Sequence, residues 1–99
     1  MSVLVVMTVP GDTAVFESVM ASNRDLVGEL SQKAKAAGCQ GHRFAVGDGQ
    51  VVVVDEWGTA EQFQAFMSDP EIQKVMGDMG ARGAPGITFA NPKGFPGEF

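Results

Sequence analysis

The residues most able to do chemistry in this chain are His42, Asp55 and Trp57, which lie towards the ends of two predicted β-strands. Residues 40–46 and 50–57 have strand composition, and the Asp-Gly pair between them is a strong signal for a two-residue hairpin turn. In that register His42 lies directly opposite Asp55, and facing side chains of such a pair have Cβ atoms about 5 Å apart. A carboxylate holds a histidine in one tautomer, so the pair can take a proton from a ligand in an apolar pocket.

A structural interpretation of the same pair stays open. His42 and Asp55 can form a polar cross-strand contact at the margin of the sheet with no chemical role, which is the commoner case. A shift of one residue at the turn would also place the two side chains on opposite faces of the sheet.

The predicted hairpin assigns its side chains to two faces. The face that carries His42 and Asp55 is the bulkier one, and its other members are Phe44, Val46, Val51, Val53 and Trp57. We expect this face to meet the helices, with Phe44 and Trp57 packing against the ring of a bound aromatic molecule. The opposite face carries Arg43, Ala45, Val52, Val54 and Glu56. Arg43 and Glu56 are diagonal neighbours there, which predicts a salt bridge at a subunit interface.

Three further residues are candidates for the lining of the pocket, namely Asn23, Phe66 and Met76. Asn23 is a polar residue on an apolar helix stripe, and its amide needs a partner either at a bend of the helix or in the pocket. Met76 belongs to a set of helix methionines that can line a pliable cavity or form ordinary core. Phe66 lies among them, and together these side chains can instead fill the space that a ligand would need.

The rest of the sequence predicts the elements that hold these residues. A strand at 2–9 comes first, followed by a helix from Asp12 to Gly38 with a bend near Asn23. The two hairpin strands come next. A second helix begins at the capping box Thr59–Gln62 and is interrupted at Pro70, and a last strand lies at 87–90. This β-α-β-β-α-β order predicts an α+β, ferredoxin-like fold, with two helices on one face of an antiparallel four-stranded sheet. We assign residues 1–91 to this domain and 92–99 to a Pro/Gly-rich tail.

The valine run 51–54 makes both faces of the third strand apolar, whereas a strand with one solvated face alternates apolar and polar residues. Two helices cover one face of such a sheet. The simplest cover for the other face is the same sheet of a second chain, so the sequence predicts a homodimer with its two sheets face to face. The alternative is a monomer with an exposed apolar sheet face, which favours aggregation.

Composition excludes several classes of partner and site. The net charge is −5 and the cationic residues are scattered, which argues against nucleic acid and anionic membranes as partners. One histidine and one cysteine leave no nitrogen- or sulfur-rich metal site, and no nucleotide-binding or nucleophile-elbow motif is present. The apolar segment 1–10 has no cationic start and is too short to span a membrane, so we expect a cytoplasmic protein.

The segment DEWGTAEQFQAFMSDPEI at residues 55–72 resembles the antibiotic biosynthesis monooxygenase-like family of dimeric α/β-barrel proteins. The matching positions are Asp55, Trp57, Phe63, Phe66 and the Asp69-Pro70 break. The resemblance covers residues 2–91 and implies the same fold, a homodimer and a pocket between sheet and helices. It also implies oxidation of multi-ring phenolic substrates by molecular oxygen without metal or flavin. A related branch degrades haem with a helix histidine, which this chain lacks.

Three functions are compatible with the sequence. The first is a cofactor-independent oxygenase, or as a weaker alternative an isomerase, for a small aromatic or polyketide-like compound, with His42 and Asp55 as the catalytic pair. The second is a dimeric binding or stress-associated protein that holds a small apolar ligand without converting it. The third is a protein of the same fold in which the pair is structural. An apolar cavity that reaches His42 would favour the first function over the third.

Overall fold

Four strands and four helices follow one another in the computed structural model, which describes residues 2–99. Their bounds are β1 Val3–Pro10, α1 Thr13–Ser22, α2 Arg24–Ala37, β2 Cys39–Gly47, β3 Gln50–Trp57, α3 Ala60–Met67, α4 Pro70–Asp78 and β4 Gly86–Ala90. The strands form one antiparallel sheet in the order β2-β3-β1-β4. This is the ferredoxin-like arrangement that the order of elements predicted.

Each of the two predicted helices is divided in two. Asn23 separates α1 from α2 with φ −127° and ψ 47°, which are not helical values, and its side-chain amide donates to the carbonyl of Val19. The bend expected near this residue is therefore a complete break. Between α3 and α4, the Asp69 side chain accepts from the backbone N–H of Glu71 as an N-cap, and Pro70 occupies the first turn of α4. Proline suits that position because its missing N–H would have no partner within the helix.

The β2–β3 hairpin has the predicted register. His42 pairs with Asp55, Phe44 with Val53 and Gly47 with Gln50. Gly49 has φ +69° in the turn, a left-handed conformation that glycine adopts at little cost. One irregularity lies between Cys39 and Gly41, beyond the part of the strand that carries His42.

The inner face of the sheet packs against the helices, as predicted. Residues of the inner face alternate along β1 and β3 and form the core with the helices; they are Val3, Val5, Met7, Val9, Val51, Val53, Asp55 and Trp57. On the outer face Val6 and Val54 pair with each other across β1 and β3 and are 37% and 38% exposed. The described residues therefore leave an apolar sheet face without a cover of its own.

The expected ion pair on the outer face does not form within this chain. Glu56 accepts a hydrogen bond from the hydroxyl of Ser2 at 2.5 Å, and no salt bridge between Arg43 and Glu56 occurs among residues 2–99. Glu56 pairs with Gly41 of β2 and with Leu4 of β1, which brings the N-terminal residues close to its carboxylate.

Residues 91–99 follow β4 and contain no helix or strand. Phe95 and Phe99 are exposed there, and the backbone N–H of Phe95 donates to the side chain of Glu98. This segment therefore adds no strand to the sheet and no helix to its covered face.

The capping box at the start of α3 gives a direct stability prediction. Thr59 Oγ1 accepts from the backbone N–H of Gln62, and the Gln62 side chain accepts from the backbone N–H of Thr59. We expect Thr59→Ala to lower the free energy of unfolding by about 0.5–2 kcal/mol, because the backbone donor of Gln62 loses its partner and the box is broken. Urea denaturation followed by circular dichroism measures this loss.

The control for the cap is Ser18→Ala. Ser18 is exposed within α1, so this change removes a hydroxyl that caps no helix end. Its effect should stay within about 0.5 kcal/mol, as is usual for a surface substitution. An equal loss of stability in both variants would contradict the capping role of Thr59.

Candidate functional site

His42, Asp55 and Trp57 form a hydrogen-bonded unit on the inner face of the hairpin. Nδ1 of His42 lies 2.5 Å from Oδ1 of Asp55, and the indole N–H of Trp57 donates to Oδ2 at 3.0 Å. Asp55 is 6% exposed and Trp57 is 1% exposed, whereas the side chain of His42 is 34% exposed. The carboxylate is therefore buried with a partner on each oxygen, and the histidine is the member that an incoming molecule can reach.

Strand geometry explains why these side chains meet. Asp55 and Trp57 are two residues apart on β3, and side chains at that spacing project from the same face of a sheet. His42 lies on the neighbouring strand directly across from Asp55. On the other side Asp55 pairs with Val5 of β1, which is 1% exposed and shields the carboxylate from water.

The hydrogen bonds determine which nitrogen of His42 is available. An ionised carboxylate only accepts hydrogen bonds, so Nδ1 carries the proton that is shared with Asp55. In the neutral ring Nε2 then carries the lone pair. Nε2 makes no hydrogen bond to any of residues 2–99. The arrangement therefore presents a proton acceptor whose tautomer is fixed by a buried carboxylate.

An apolar cavity of about 150 Å³ lies between the inner face of the sheet and the four helices, and it reaches this unit. The structure brings to its wall all but one of the residues expected there: His42, Phe44, Asp55, Trp57, Phe66 and Met76. Asn23 is the exception. It is exposed at the break between α1 and α2 and lines no part of this cavity, because its amide is engaged with the preceding helical turn.

Aromatic side chains form much of the wall around the histidine. The rings of His42 and Phe44 meet edge to face at 4.4 Å, and Phe16 of α1 lies 5.5 Å from Phe44. Trp57 contacts Phe63 and Phe66 of α3 at 5.8 and 5.3 Å. Offset and edge-to-face packing of this kind fixes the orientation of aromatic rings. Two ring clusters therefore flank the unit, one on Phe44 and one on Trp57.

Much of the remaining wall is not among the residues that the sequence predicts, including the side chains of α2 and two further parts. Phe16 belongs to the apolar stripe of the first helix, and its spacing on that stripe is the signal that could have placed it in the pocket. The second part is the close contact of Gly11 with Gly80, both of which line the cavity. A Cβ atom on Gly11 would lie 2.4 Å from the carbonyl oxygen of Gly80. No local pattern in the sequence indicates that this close approach occurs.

Cys39 lies near the unit but is shielded. Burial raises the pKa of the Cys39 thiol, and the negative charge of Asp55 adds to the effect. Its Sγ donates to the carbonyl of Gly41 at 3.2 Å. The thiolate, which is the reactive form, is therefore disfavoured in the folded protein.

We accordingly expect Cys39 to react with an aromatic disulfide reagent at least about 100-fold more slowly in the folded protein than in urea. The rate should rise with pH, because the raised pKa delays formation of the thiolate to more alkaline conditions. Since the sequence has one cysteine, the absorbance of the released thiol reports this residue alone. Equal rates in the folded and unfolded protein would contradict the burial of the thiol.

Potential metal ligands are dispersed over the described part of the chain. Within residues 2–99 no group of three or more His, Cys, Asp or Glu side chains is arranged to hold a metal ion. In the same residues no helix is long and apolar enough to cross a bilayer.

Comparison with known proteins finds similarity in structure. No family model and no curated protein matches the sequence. A putative antibiotic biosynthesis monooxygenase from Caulobacter crescentus is 20% identical with a TM-score of 0.65, and the alignment covers 93% of this chain and 90% of that one. The monooxygenase ActVA-Orf6 of Streptomyces coelicolor, in complex with nanaomycin D, is 17% identical with a TM-score of 0.67, covering 95% and 89%. SnoaB, a cofactor-independent oxygenase from Streptomyces nogalater, is 15% identical with a TM-score of 0.63, covering 98% and 97%.

Identities of this size establish a shared fold and leave the activity open. The alignments extend over nearly the whole of both chains, so the likeness concerns the complete sheet and its helices. The resemblance that the segment 55–72 indicated is thus confirmed at the level of structure: this chain has the fold of the antibiotic biosynthesis monooxygenase proteins.

Proposed function

We propose that this protein is a cofactor-independent oxygenase that converts a small phenolic or polyketide-like aromatic compound into a quinone. The observation that carries the proposal is the contact of His42 with the buried Asp55 at the wall of an apolar cavity. The proteins described as a monooxygenase and as a cofactor-independent oxygenase have the same fold and support it.

The proton transfer follows from the arrangement of the unit. A phenol bound in the cavity places its hydroxyl against Nε2 of His42, which takes the proton as a general base. Asp55 stabilises the resulting imidazolium through Nδ1, and Trp57 holds the carboxylate in place from its other oxygen. Phe44 and Trp57 pack against the ring, and the apolar surroundings strengthen the attraction between phenolate and imidazolium.

The phenolate then supplies every electron that oxygen gains. One electron passes to O₂, and the radical pair joins to form a C–O bond at the ring carbon para to the phenolate oxygen. The imidazolium returns its proton to the outer oxygen of this peroxide. His42 next removes the hydrogen from the same carbon, the C=O bond forms, the O–O bond breaks, and the departing hydroxide leaves as water. One phenol and one O₂ thus give one quinone and one water, and no external reductant is consumed.

Oxygen uptake by the purified protein tests the proposal. Phenols of increasing acidity are supplied in a buffer that contains a metal chelator, and an oxygen electrode is read together with the absorbance of the quinone. We expect uptake and quinone formation in equal amounts. Binding of a phenol with no oxygen consumption across the series would favour the second candidate, a small-ligand-binding protein, and would overturn the oxygenase.

We propose in addition that two chains pair through the outer faces of their sheets. The support is the row of apolar side chains that the helices do not cover, with Val6 and Val54 at its centre and Leu4 and Val52 beside them. Pairing would remove this surface from water, where a monomer would expose it. The cavity lies on the opposite side of each sheet, so each subunit holds its own complete site.

A further inference from the structure

The size of the cavity limits what it can bind. Its volume is about 150 Å³, whereas sites for drug-sized ligands usually measure roughly 300–1,000 Å³. An apolar cavity of about 150 Å³ in another protein accommodates one benzene ring. A scaffold of three fused rings is therefore larger than this cavity, which is partly open to solvent beside His42.

The most deeply buried part of the cavity wall is its floor. The floor is β3, a strand with neighbours on both sides, and Val51, Val53 and Trp57 on it are 6%, 5% and 1% exposed. Phe63, which packs edge to face on Trp57, is 2% exposed. Side chains packed at this density resist displacement, and inserting extra volume among them is unfavourable.

Backbone hydrogen bonds link the chain segments around the end of the cavity away from His42. The N–H of Gly11 donates to Gly49 at 3.1 Å, that of Asp12 to Gly80 at 3.2 Å, and that of Arg82 to Pro10 at 2.8 Å. Val51 at this end and Asp55 at the other are separated along β3 by a length of about 13 Å. A ligand that extends between these segments would have to separate them.

The polar groups at the two ends of the cavity differ in whether they are free to hydrogen-bond a ligand. Asp12, at the end away from His42, caps α1 with one oxygen and faces Arg82 with the other, at 3.4 Å. Both oxygens of Asp55 are occupied as well, and Nε2 of His42 is the group beside the aromatic wall that has no partner among residues 2–99. The cavity thus fits one ring with one hydroxyl placed at the histidine.

We propose that the substrate is a single-ring phenol and that fused three-ring compounds are excluded by volume. This inference rests on the proposed function for the role of the hydroxyl, and on the cavity alone for the size limit. Phe66, half-buried on α3 against Trp57, is the wall residue whose truncation would extend the space.

Binding measured without oxygen tests the size limit apart from turnover. The single tryptophan gives one indole N–H signal in a ¹⁵N spectrum, and it reports the cavity wall. The probes are 2,6-dichlorophenol and 1,8-dihydroxyanthrone, added anaerobically to the full chain. We expect a saturable shift with the one-ring phenol, and binding of the three-ring compound weaker by at least about tenfold.

Enlarging the cavity provides the converse test. Phe66→Ala should bring the affinity for 1,8-dihydroxyanthrone to within a few-fold of that for 2,6-dichlorophenol, and Phe66→Leu is the milder variant if the first unfolds. Phe95→Ala is the matched control, because Phe95 is exposed in the C-terminal segment and does not line the cavity. It should leave the preference for one ring unchanged.

The outcomes separate the two proposals. Binding of the three-ring compound to the parent protein as tight as that of the phenol, or binding of neither, would overturn the size limit. Oxygen uptake with a three-ring substrate would overturn the limit and keep the oxygenase. Selective binding of the one-ring phenol without oxygen uptake by any phenol would keep the limit and overturn the oxygenase.

Discussion

Replacing His42 with Gln is expected to lower the rate of oxygen uptake by about 10²–10⁴-fold, which is the range that a well-placed general base contributes. Glutamine keeps a polar side chain of similar length but cannot take a proton from a phenol. The loss should appear in kcat with little change in KM, because the aromatic contacts of the ring remain. The melting temperature should change little, since the side chain of His42 is partly exposed at the margin of the sheet.

The control for this variant is Arg24→Gln. Arg24 is exposed at the start of α2 and does not line the cavity. Its replacement should leave the rate within about twofold, as expected for a surface substitution away from the site. Unchanged uptake in His42→Gln would show that the cavity accelerates the reaction without this base.

Asp55→Asn separates the role of the carboxylate from that of the ring. An amide can donate to Nδ1, which would shift the ring proton to Nε2 and remove the lone pair that acts as the base. The oxygen uptake rate should therefore fall although His42 is still present. The amide oxygen can still accept from the Trp57 indole N–H, but both hydrogen bonds lose the charge of the carboxylate, and a loss of about 1–2 kcal/mol in unfolding free energy is expected.

Replacing Val54 with Asp is the second change with a large expected effect. In a dimer that pairs its outer sheet faces, the new carboxylate of each subunit would be buried without a partner, at a cost of several kcal/mol. We expect the parent protein to be a dimer at micromolar concentration and the variant to be a monomer, with dimerisation weakened by at least about 1,000-fold. Sedimentation velocity across a concentration series measures both states.

Ala65→Asp provides the control for the dimer. Ala65 is exposed on α3, which covers the inner face of the sheet, so the same carboxylate there should leave the dimer intact. Circular dichroism shows whether either variant has lost its fold, because aspartate in a strand is itself unfavourable. A parent protein that sediments as a monomer, or a Val54→Asp variant that remains a dimer, would contradict pairing through this face.

Much of the fold followed from local signals in the sequence. The Asp-Gly turn fixed the register of β2 against β3 because a two-residue loop permits one pairing, and the register placed His42 opposite Asp55. The alternation along β1 and β3 then separated an inner face from an outer one. These features depend on neighbours in the chain and on strand geometry, which a sequence displays directly.

What could not be read from the sequence depends on three-dimensional packing. Asn23 was a candidate for the pocket, yet its conformation breaks the helix and turns the amide back onto Val19. The hydrogen bond from Trp57 to Asp55 could have been predicted from the sequence, because residues two apart on a strand project from the same face. The contact of Gly11 with Gly80 and the volume of the cavity depend on how distant elements pack together, which no local pattern specifies.

The most direct test of the central claim is the protonation of His42 when a phenol binds. The sequence has one histidine, so ¹⁵N-labelled histidine gives two ring-nitrogen signals with no other residue to confuse them. We would add 2,6-dichlorophenol without oxygen, at a pH where the free compound is mostly neutral. A free protein with the proton on Nδ1, followed by protonation of Nε2 as the phenol binds, is the predicted result. A bound phenol that leaves Nε2 unprotonated would contradict the assignment of His42 as the base.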